Sequence, residues 1–131
     1  MSWQAYVDSS LIGSGHIDKG AIISAAGDSV WATSAGFTIK PEEMKNLVNI
    51  ISNTSGAVDK AYADGVHVAG ERYVLTRAED RSIYARQGRT GIIAVKTKQA
   101  ILVGHHGETQ QAGNATQTTE ALADYLIKVG Y

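Results

Sequence analysis

Hydrophobic and polar positions are most clearly patterned between Arg72 and His106, where short apolar runs are separated by polar turns. Four of these runs are rich in the β-branched and aromatic residues typical of strands: residues 72–77, 82–86, 91–96 and 99–103. Links this short join neighbouring strands antiparallel, so we predict a four-stranded meander. The last two runs are apolar at consecutive positions, which indicates strands covered on both faces, with helices on each side of the sheet.

The chain before the meander predicts two helices separated by a hairpin. Ser2 suits the N-cap of the first helix, whose apolar residues share one stripe: Trp3, Tyr6, Val7 and Leu11. Residues 21–25 and 29–33 flank a short Gly-Asp turn and predict a two-stranded hairpin. Pro41 suits the first turn of the second helix, whose apolar face would carry Met44, Leu47, Val48 and Ile51.

The remaining segments are patterned less evenly. Residues 57–70 show only a short strand-like run at 66–68. After the meander, Asn114 and Gln117 match a capping box, which predicts the start of a last helix. Its apolar stripe would consist of Ala121, Leu122, Tyr125, Leu126 and Val129. The whole pattern predicts one α+β domain over residues 1–131, with a single antiparallel sheet between helix layers.

Composition and charge narrow the class of protein. The chain has 131 residues, 44% of them hydrophobic, no cysteine and a net charge of −1, which excludes disulfides and a generally basic nucleic-acid binder. No apolar run approaches the roughly 20 residues of a membrane span, and no signal peptide opens the chain, so we expect a cytoplasmic protein. Residues 72–106 nevertheless carry a formal charge of +5, against −6 for the remainder.

Enzymatic signals are weak. Gly13-Ser14-Gly15 lacks the lysine and the glycine spacing of a phosphate-binding loop. No second type of metal ligand accompanies the histidines at metal-binding spacing: His16, His67, His105 and His106. We therefore expect no catalytic centre, no metal and no cofactor. If the last strand of the meander extends that far, the adjacent pair His105-His106 points to opposite faces of the sheet.

Two residue classes allow either a structural or a binding role. Aromatic residues concentrate near the two termini, where they either hold the helices to the sheet or form an exposed groove for a polyproline helix. Pattern alone favours the packing role. The arginines and lysines of the meander either solvate strand ends or bind an acidic partner such as a protein or a phospholipid.

Four segments, in order along the whole chain, resemble the profilin family, closest to its fungal members. They are Ser2-Trp3-Gln4-Ala5-Tyr6, Ser29-Val30-Trp31-Ala32, Arg77-Ala78-Glu79-Asp80-Arg81-Ser82-Ile83-Tyr84 and Leu122-Ala123-Asp124-Tyr125-Leu126. The resemblance implies the profilin fold, with the terminal helices on one sheet face and a further helix on the other. It also implies a cytoskeletal protein of the actin-rich cortex that binds actin monomers, promotes nucleotide exchange on actin, and binds formin-type proline-rich ligands and phosphoinositides.

The resemblance also carries over candidate site residues. A polyproline groove would comprise Trp3, Tyr6, Trp31, Tyr125, Leu126 and Tyr131. An actin face would comprise Arg77, Arg81, Arg86 and Gly113, with Tyr62 as a weaker candidate. The same three arginines would bind phosphoinositides. Many relatives have a histidine where this chain has Tyr125, which keeps a ring and a donor, so we expect altered contacts but retained proline binding.

One alternative keeps the fold and changes the role to a small-ligand-sensing or trafficking adaptor domain. That role predicts an enclosed apolar cavity and buried terminal aromatic rings. The profilin role predicts no sizeable cavity and partial exposure of Trp3, Trp31 and Tyr131 along one groove. The exposure of these rings therefore distinguishes the two functions.

Overall fold

The computed structural model describes residues 2–52, 56–79 and 81–131. In this part of the chain, seven strands form one sheet in the order β2-β1-β7-β6-β5-β4-β3. They are β1 (Lys19–Ser24), β2 (Val30–Thr33), β3 (Val66–Val68), β4 (Glu71–Ala78), β5 (Ser82–Gln87), β6 (Thr90–Lys96) and β7 (Ala100–His106). All neighbouring strands are antiparallel, and β1 joins the hairpin to the meander by pairing with β7.

Helices cover both faces of this sheet. The N-terminal helix begins as α1 (Trp3–Ala5), widens into a π-helical segment (Tyr6–Leu11) and ends in a 3-10 turn (Ile12–Ser14). The other helices that the structure describes are α2 (Pro41–Ser52), α3 (Ala57–Asp64) and α4 (Ala112–Lys128). Apolar side chains of the N-terminal helix and α4 pack together on one face, whereas those of α2 and α3 pack on the other.

Alternation along β7 shows how one strand supports both cores. Leu102 is fully buried in the core beneath the N-terminal helix and α4. Its neighbour Ile101 is fully buried in the core beneath α2 and α3. Consecutive strand residues point to opposite faces, so a strand between two helix layers is apolar throughout. This confirms the prediction from the consecutive apolar positions.

Other predictions about the fold had mixed outcomes. The hairpin, the meander and the Ser2 cap are confirmed, and Ser2 Oγ accepts a hydrogen bond from Ala5 N at 3.1 Å. The predicted capping box is wrong, because Asn114 already lies within the first turn of α4. The main-chain N–H of Ala115 donates to Gln111 O at 3.0 Å, so the helix begins at Ala112. The last strand also runs beyond the predicted end at residue 103, as far as His106.

A buried carboxylate holds the β3–β4 turn against α2. Glu43 is 5% exposed, and its Oε1 accepts hydrogen bonds from the main-chain N–H groups of Lys40 at 2.8 Å and Ala69 at 2.9 Å. Its Oε2 accepts from Gly70 N at 2.9 Å. Ala69 and Gly70 both have positive φ angles, 54° and 82°. Glu43 thus stabilises a turn whose first residue, an alanine, disfavours the left-handed conformation.

Candidate functional site

Five aromatic rings from three parts of the chain form one cluster beside the terminal helices. Trp3 is its centre, with ring centroids 4.8 Å from Trp31, 5.0 Å from Tyr131 and 5.8 Å from Tyr6. Tyr6 in turn lies 6.2 Å from Tyr125 on α4. Trp3 and Tyr6 are three residues apart on the N-terminal helix, which places their side chains on the same side. We call these five residues the aromatic cluster.

The aromatic cluster is a partly exposed surface. Tyr125 is 48% exposed and Tyr131 is 42% exposed, while Trp3 and Trp31 are half-buried and Tyr6 is buried. Partial exposure of Trp3, Trp31 and Tyr131 agrees with the profilin prediction and contradicts the buried terminal rings expected of the alternative. The clefts beside Arg77 and Arg81 are open to solvent and are not enclosed cavities.

Leu126 does not belong to this surface. Its side chain is fully buried in the core between α4 and the sheet. An α-helix advances about 100° per residue, so Leu126 and its exposed neighbour Tyr125 cannot face the same way. The carried-over role of Leu126 as a direct groove contact is therefore corrected to a support beneath the cluster.

The polar edges of the cluster are suited to hydrogen bonding. Partial desolvation raises the pKa of Tyr6, and a hydrogen bond with Tyr125 adds to this effect. Rings with an N–H or O–H at one edge can pack against an apolar ligand and donate to its carbonyl groups. The cluster therefore offers flat apolar surface and donors side by side.

A second surface feature is a cleft between the β4–β5 strands and the start of α4. Its lining residues are Thr76, Arg77, Tyr84, Ala112, Gly113 and Thr116, and we call it the meander cleft. The guanidinium carbon of Arg77 lies 4.5 Å from the centre of the Tyr84 ring, and its Nε is 2.8 Å from Glu79 Oε1. Asp80, the other acid of this turn, lies outside the described residues. The structure thus brings together Arg77 and Gly113, which are distant in sequence.

Tyr84 connects this cleft to α4. Its hydroxyl donates a short hydrogen bond to Glu120 Oε1. Burial raises the pKa of Tyr84, and the bond to Glu120 raises it further, so the hydroxyl remains a donor. Hydrogen bonding to Tyr84 also raises the pKa of Arg77. Tyr84 was not among the predicted site residues, although it ends the segment from Arg77 that resembles the family.

The other two arginines lie next to the meander cleft and have different partners. Arg81 lines an adjoining cleft with Glu79, and its Nη2 is 2.7 Å from Asp124 Oδ1 on α4. Arg86 is exposed and lines a small neighbouring pocket whose wall includes His106. The structure shows that Glu79 pairs with Arg77, whereas Arg81 pairs with Asp124.

Tyr62 is separate from these residues. It is 50% exposed on α3, which covers the opposite face of the sheet from α4. Glu120 and Asp124, by contrast, were not predicted from the sequence. They contact Tyr84 and Arg81, respectively, at the predicted actin face. Their spacing of four residues on a helix places them on one side of it, and this is the signal that could have identified them.

The histidines do not form a metal site in the described part of the chain, where no group of three or more metal-ligating side chains is found. His105 and His106 do lie on opposite faces, as the extended strand requires. His105 Nδ1 is 2.5 Å from Asp18 Oδ1, on the face of α2 and α3. His106 lines the small pocket beside Arg86, where desolvation lowers its pKa.

Among the described helices, none is both long and apolar enough to span a membrane.

An antiparallel sheet between two helix layers, with an aromatic surface at the termini and a separate basic cleft, defines a small binding domain. A sequence profile of the profilin family matches residues 1–131. Profilin of Schizosaccharomyces pombe is 52% identical over 133 aligned residues, and that of Saccharomyces cerevisiae is 47% identical over 131; both alignments cover 100% of each chain. The chain belongs to the profilin family.

Solved structures agree with this assignment. A crystal structure of S. pombe profilin has a TM-score of 0.92 at 51% identity, covering 99% of this chain and 100% of that one. Profilin IA of Acanthamoeba castellanii has a TM-score of 0.93 at 45% identity, with the same coverage. Mouse profilin IIa, solved in complex with a double repeat from the FH1 domain of mDia1, has a TM-score of 0.80 at 20% identity and covers 100% of each chain, which supports the fold alone.

Family membership decides between the two functions that the sequence left open. Profilins are actin-monomer-binding proteins of the cytoskeleton and are not enzymes. The predicted function class is therefore confirmed, together with the fungal character of the resemblance. Family membership alone does not say which residues of this chain contact each partner.

Proposed function

We propose that the aromatic cluster binds proline-rich segments, such as those of formins, while the protein holds an actin monomer on a different surface. The observation that carries this proposal is the convergence of five rings around Trp3, with centroid separations of 4.8 to 6.2 Å and with two of the rings more than 40% exposed. The mouse relative that was solved with an FH1 repeat is consistent with such a ligand.

A polyproline helix suits this cluster for physical reasons. It has no internal hydrogen bonds, so its carbonyl groups are available as acceptors, and it is already extended, so binding costs little conformational entropy. Proline rings would pack against the exposed faces of Trp3, Trp31 and Tyr131, and the Tyr125 hydroxyl would donate to a carbonyl. Tyr125 replaces the histidine that many relatives have, and its phenol keeps both the ring and the donor.

We propose that actin binds across the meander cleft through Arg77, Arg81, Arg86 and Gly113. Arg77 is positioned for this role because Glu79 and the Tyr84 ring hold its guanidinium at the wall of the cleft. Gly113 has open space around it, so a partner's main chain can approach α4 closely there. Tyr62 lies on the other sheet face and would contact actin only if the interface extends around the β3 edge.

The two surfaces are far enough apart to be occupied together. The aromatic cluster lies over β2 and the terminal helices, and the meander cleft lies over β4 and β5. β2 and β4 are separated by four strands in the sheet order, which corresponds to about 24 Å at the usual strand spacing. An actin monomer could therefore be delivered to a filament end where a proline-rich protein holds this domain.

Promotion of nucleotide exchange on actin requires no chemistry by this protein. If the meander cleft binds a more open state of actin more tightly than the closed state, the bound population shifts towards the open state. Nucleotide then leaves faster because the open state presents a lower barrier to its escape. The differential affinity for the two states sets the size of the effect.

Phosphoinositide headgroups are proposed as weak ligands of the same arginines. Arg77, Arg81 and Arg86 contribute to the formal charge of +5 on residues 72–106, and all three side chains are at least partly accessible. Guanidinium groups bind phosphate oxygens through paired donors. Headgroups would then compete with actin for the cleft and leave the aromatic cluster free.

A titration with a proline decamer tests the central part of this proposal. Both tryptophans of the chain, Trp3 and Trp31, lie in the aromatic cluster, so intrinsic fluorescence should change on binding. We expect a saturable change in fluorescence on titration with the decamer. A ten-residue control peptide without proline should cause no change. If the decamer does not bind, or if it binds to saturation without changing the fluorescence, the assignment of the groove is contradicted.

A further inference from the structure

We propose that Thr97 is a positioning residue for the aromatic cluster, because its hydroxyl anchors Tyr131 in the orientation that completes the cluster. Thr97 lies in the turn between β6 and β7, and its hydroxyl contacts the main chain of Tyr131. This inference rests on the proposed function of the cluster and adds a specific role for the turn. It assigns a function to a residue that the sequence did not single out.

The anchor consists of two hydrogen bonds from the β6–β7 turn to one oxygen. Thr97 Oγ1 donates to the main-chain O of Tyr131 at 2.9 Å, and the main-chain N–H of Gln99 donates to the same oxygen at 2.6 Å. Thr97 is only 5% exposed, so its hydroxyl is shielded from competing water. The turn thus presents two convergent donors to the segment that follows α4.

The opposite side of Tyr131 is held as well. Its main-chain N–H donates to Leu126 O at 2.8 Å, and the preceding Gly130 turns the chain with a φ of 100°. Tyr131 is therefore attached at its N–H to α4 and at its O to the β6–β7 turn. This assigns a second role to Leu126, whose side chain is buried while its carbonyl restrains the groove residue.

The consequence of this anchoring is the position of the Tyr131 ring. The ring stands edge-on to Trp3, with centroids 5.0 Å apart and planes at 74°, and it remains 42% exposed. Tyr131 lies beyond the end of α4, so within the described residues its main chain is held only by the bond from its N–H to Leu126 O and by the two donors of the β6–β7 turn. Without the Thr97 hydroxyl, only the Gln99 N–H would hold this oxygen, so the ring would sample a wider range of orientations from which a ligand would have to select one. Pre-organisation of a binding surface raises affinity by removing that cost.

Thr97→Val is the direct test, since it keeps the branched shape and removes the hydroxyl. We expect proline-decamer affinity to fall about fivefold, which corresponds to one typical hydrogen bond. The contact between the Tyr131 and Trp3 rings, measured by proton–proton nuclear Overhauser effects in the free protein, should weaken in parallel. Thr97→Ser keeps the hydroxyl and should restore both the affinity and the ring contact.

Thr119→Val is the matched control for a general loss of stability. Thr119 is fully buried, and its hydroxyl donates to Ala115 O at 2.9 Å, away from the aromatic cluster. We expect this variant to melt at a lower temperature but to keep the affinity and the ring contact of the wild type. If Thr97→Val does not fold, Gly130→Ala perturbs the same anchor from the other side. An added Cβ there meets nothing within 4 Å, so the change acts only through the positive φ.

The outcomes separate this inference from the proposed function. Wild-type affinity and an unchanged ring contact in folded Thr97→Val would overturn the role of Thr97, while decamer binding by the wild type would still support the groove. If Thr97→Val and Thr119→Val lose decamer affinity equally, a general loss of stability explains the effect, and the inference is also overturned. If the decamer does not bind the wild type, the proposed function fails, and the ring contact alone decides whether Thr97 positions Tyr131.

Discussion

Charge reversal at Arg77 probes the meander cleft most sharply, because the structure specifies what the substitution changes. Arg77→Glu removes the 2.8 Å ion pair with Glu79 and the guanidinium that lies 4.5 Å from the centre of the Tyr84 ring. It also adds a carboxylate close to Glu79, while Glu120 remains bonded to Tyr84 nearby. The basic wall of the cleft thereby becomes acidic.

The cost to folding can be estimated from these two contacts. The Arg77 side chain is 61% exposed, so its ion pair contributes about 0–1 kcal/mol, and its contact with Tyr84 contributes about 0.5–1 kcal/mol. Together these contributions lower the expected free energy of unfolding by about 0.5–2 kcal/mol. The contact with the Tyr84 ring thus adds to the small cost of losing an exposed ion pair.

The cost to actin binding should be larger. Reversing a desolvated interfacial charge typically costs roughly 2–5 kcal/mol, so the affinity for actin monomers should fall by about 30-fold or more. The assay is the affinity for actin monomers, with nucleotide exchange followed in parallel and proline-decamer binding as the internal control. We expect the first two to be lost and the third to be preserved.

Arg89→Glu is the matched control for this experiment. Arg89 lies in the β5–β6 turn, is exposed and does not line the meander cleft, so the change in net charge is the same at a different place. It should change actin affinity much less than Arg77→Glu. Actin affinity of Arg77→Glu within twofold of the wild type would refute the proposed role, and Arg77 would then be a solvated strand end only.

Two further predictions concern the fold and the lipid ligand. Glu43→Gln places an amide N–H₂ opposite one of the three main-chain N–H donors, so it should lower the free energy of unfolding by about 2–3 kcal/mol in a denaturation experiment. Glu42→Gln, on the exposed side of α2, should have little effect in the same experiment. Equal stability of the two variants would contradict the role of the buried carboxylate. Phosphoinositide headgroups should compete with actin and bind less tightly from low to physiological salt, since exposed charges are screened over about 10 Å at 0.1 M. Salt-independent binding, or simultaneous binding with actin, would exclude the shared site.

Local patterns predicted the hairpin, the meander and the terminal helices, because each of these depends on periodicity within a short window. For β3, the pattern showed only a short strand-like run. It has only three residues, Val66–Val68, and its turn is stabilised by Glu43, which is distant in sequence. Ala69 adopts a positive φ of 54° without the usual glycine or asparagine signature. Such a turn is determined by tertiary contacts, which a local pattern does not contain.

The candidate sites show the same limit. Five of the six predicted groove residues lie together, but Leu126 is buried because its helical position differs by about 100° from that of Tyr125. The ion-pair partner of Arg81 is Asp124, 43 residues further along the chain, and no local pattern indicated it. The pairing of charges across elements depends on the orientation in which α4 packs on the sheet, and local sequence patterns do not determine that orientation.

The central claim is that the aromatic cluster and the meander cleft are separate sites. The most direct test measures, side by side, how Trp3→Ala binds a proline decamer and actin monomers. Trp3 contacts three of the other rings, so its removal should cost about 2 kcal/mol or more of decamer binding. A melting curve must first show that the variant is folded, because Trp3 also packs against the core. We predict that decamer binding is lost while actin affinity stays close to that of the wild type. Wild-type decamer affinity in the folded variant, or joint loss of both activities, would contradict the account.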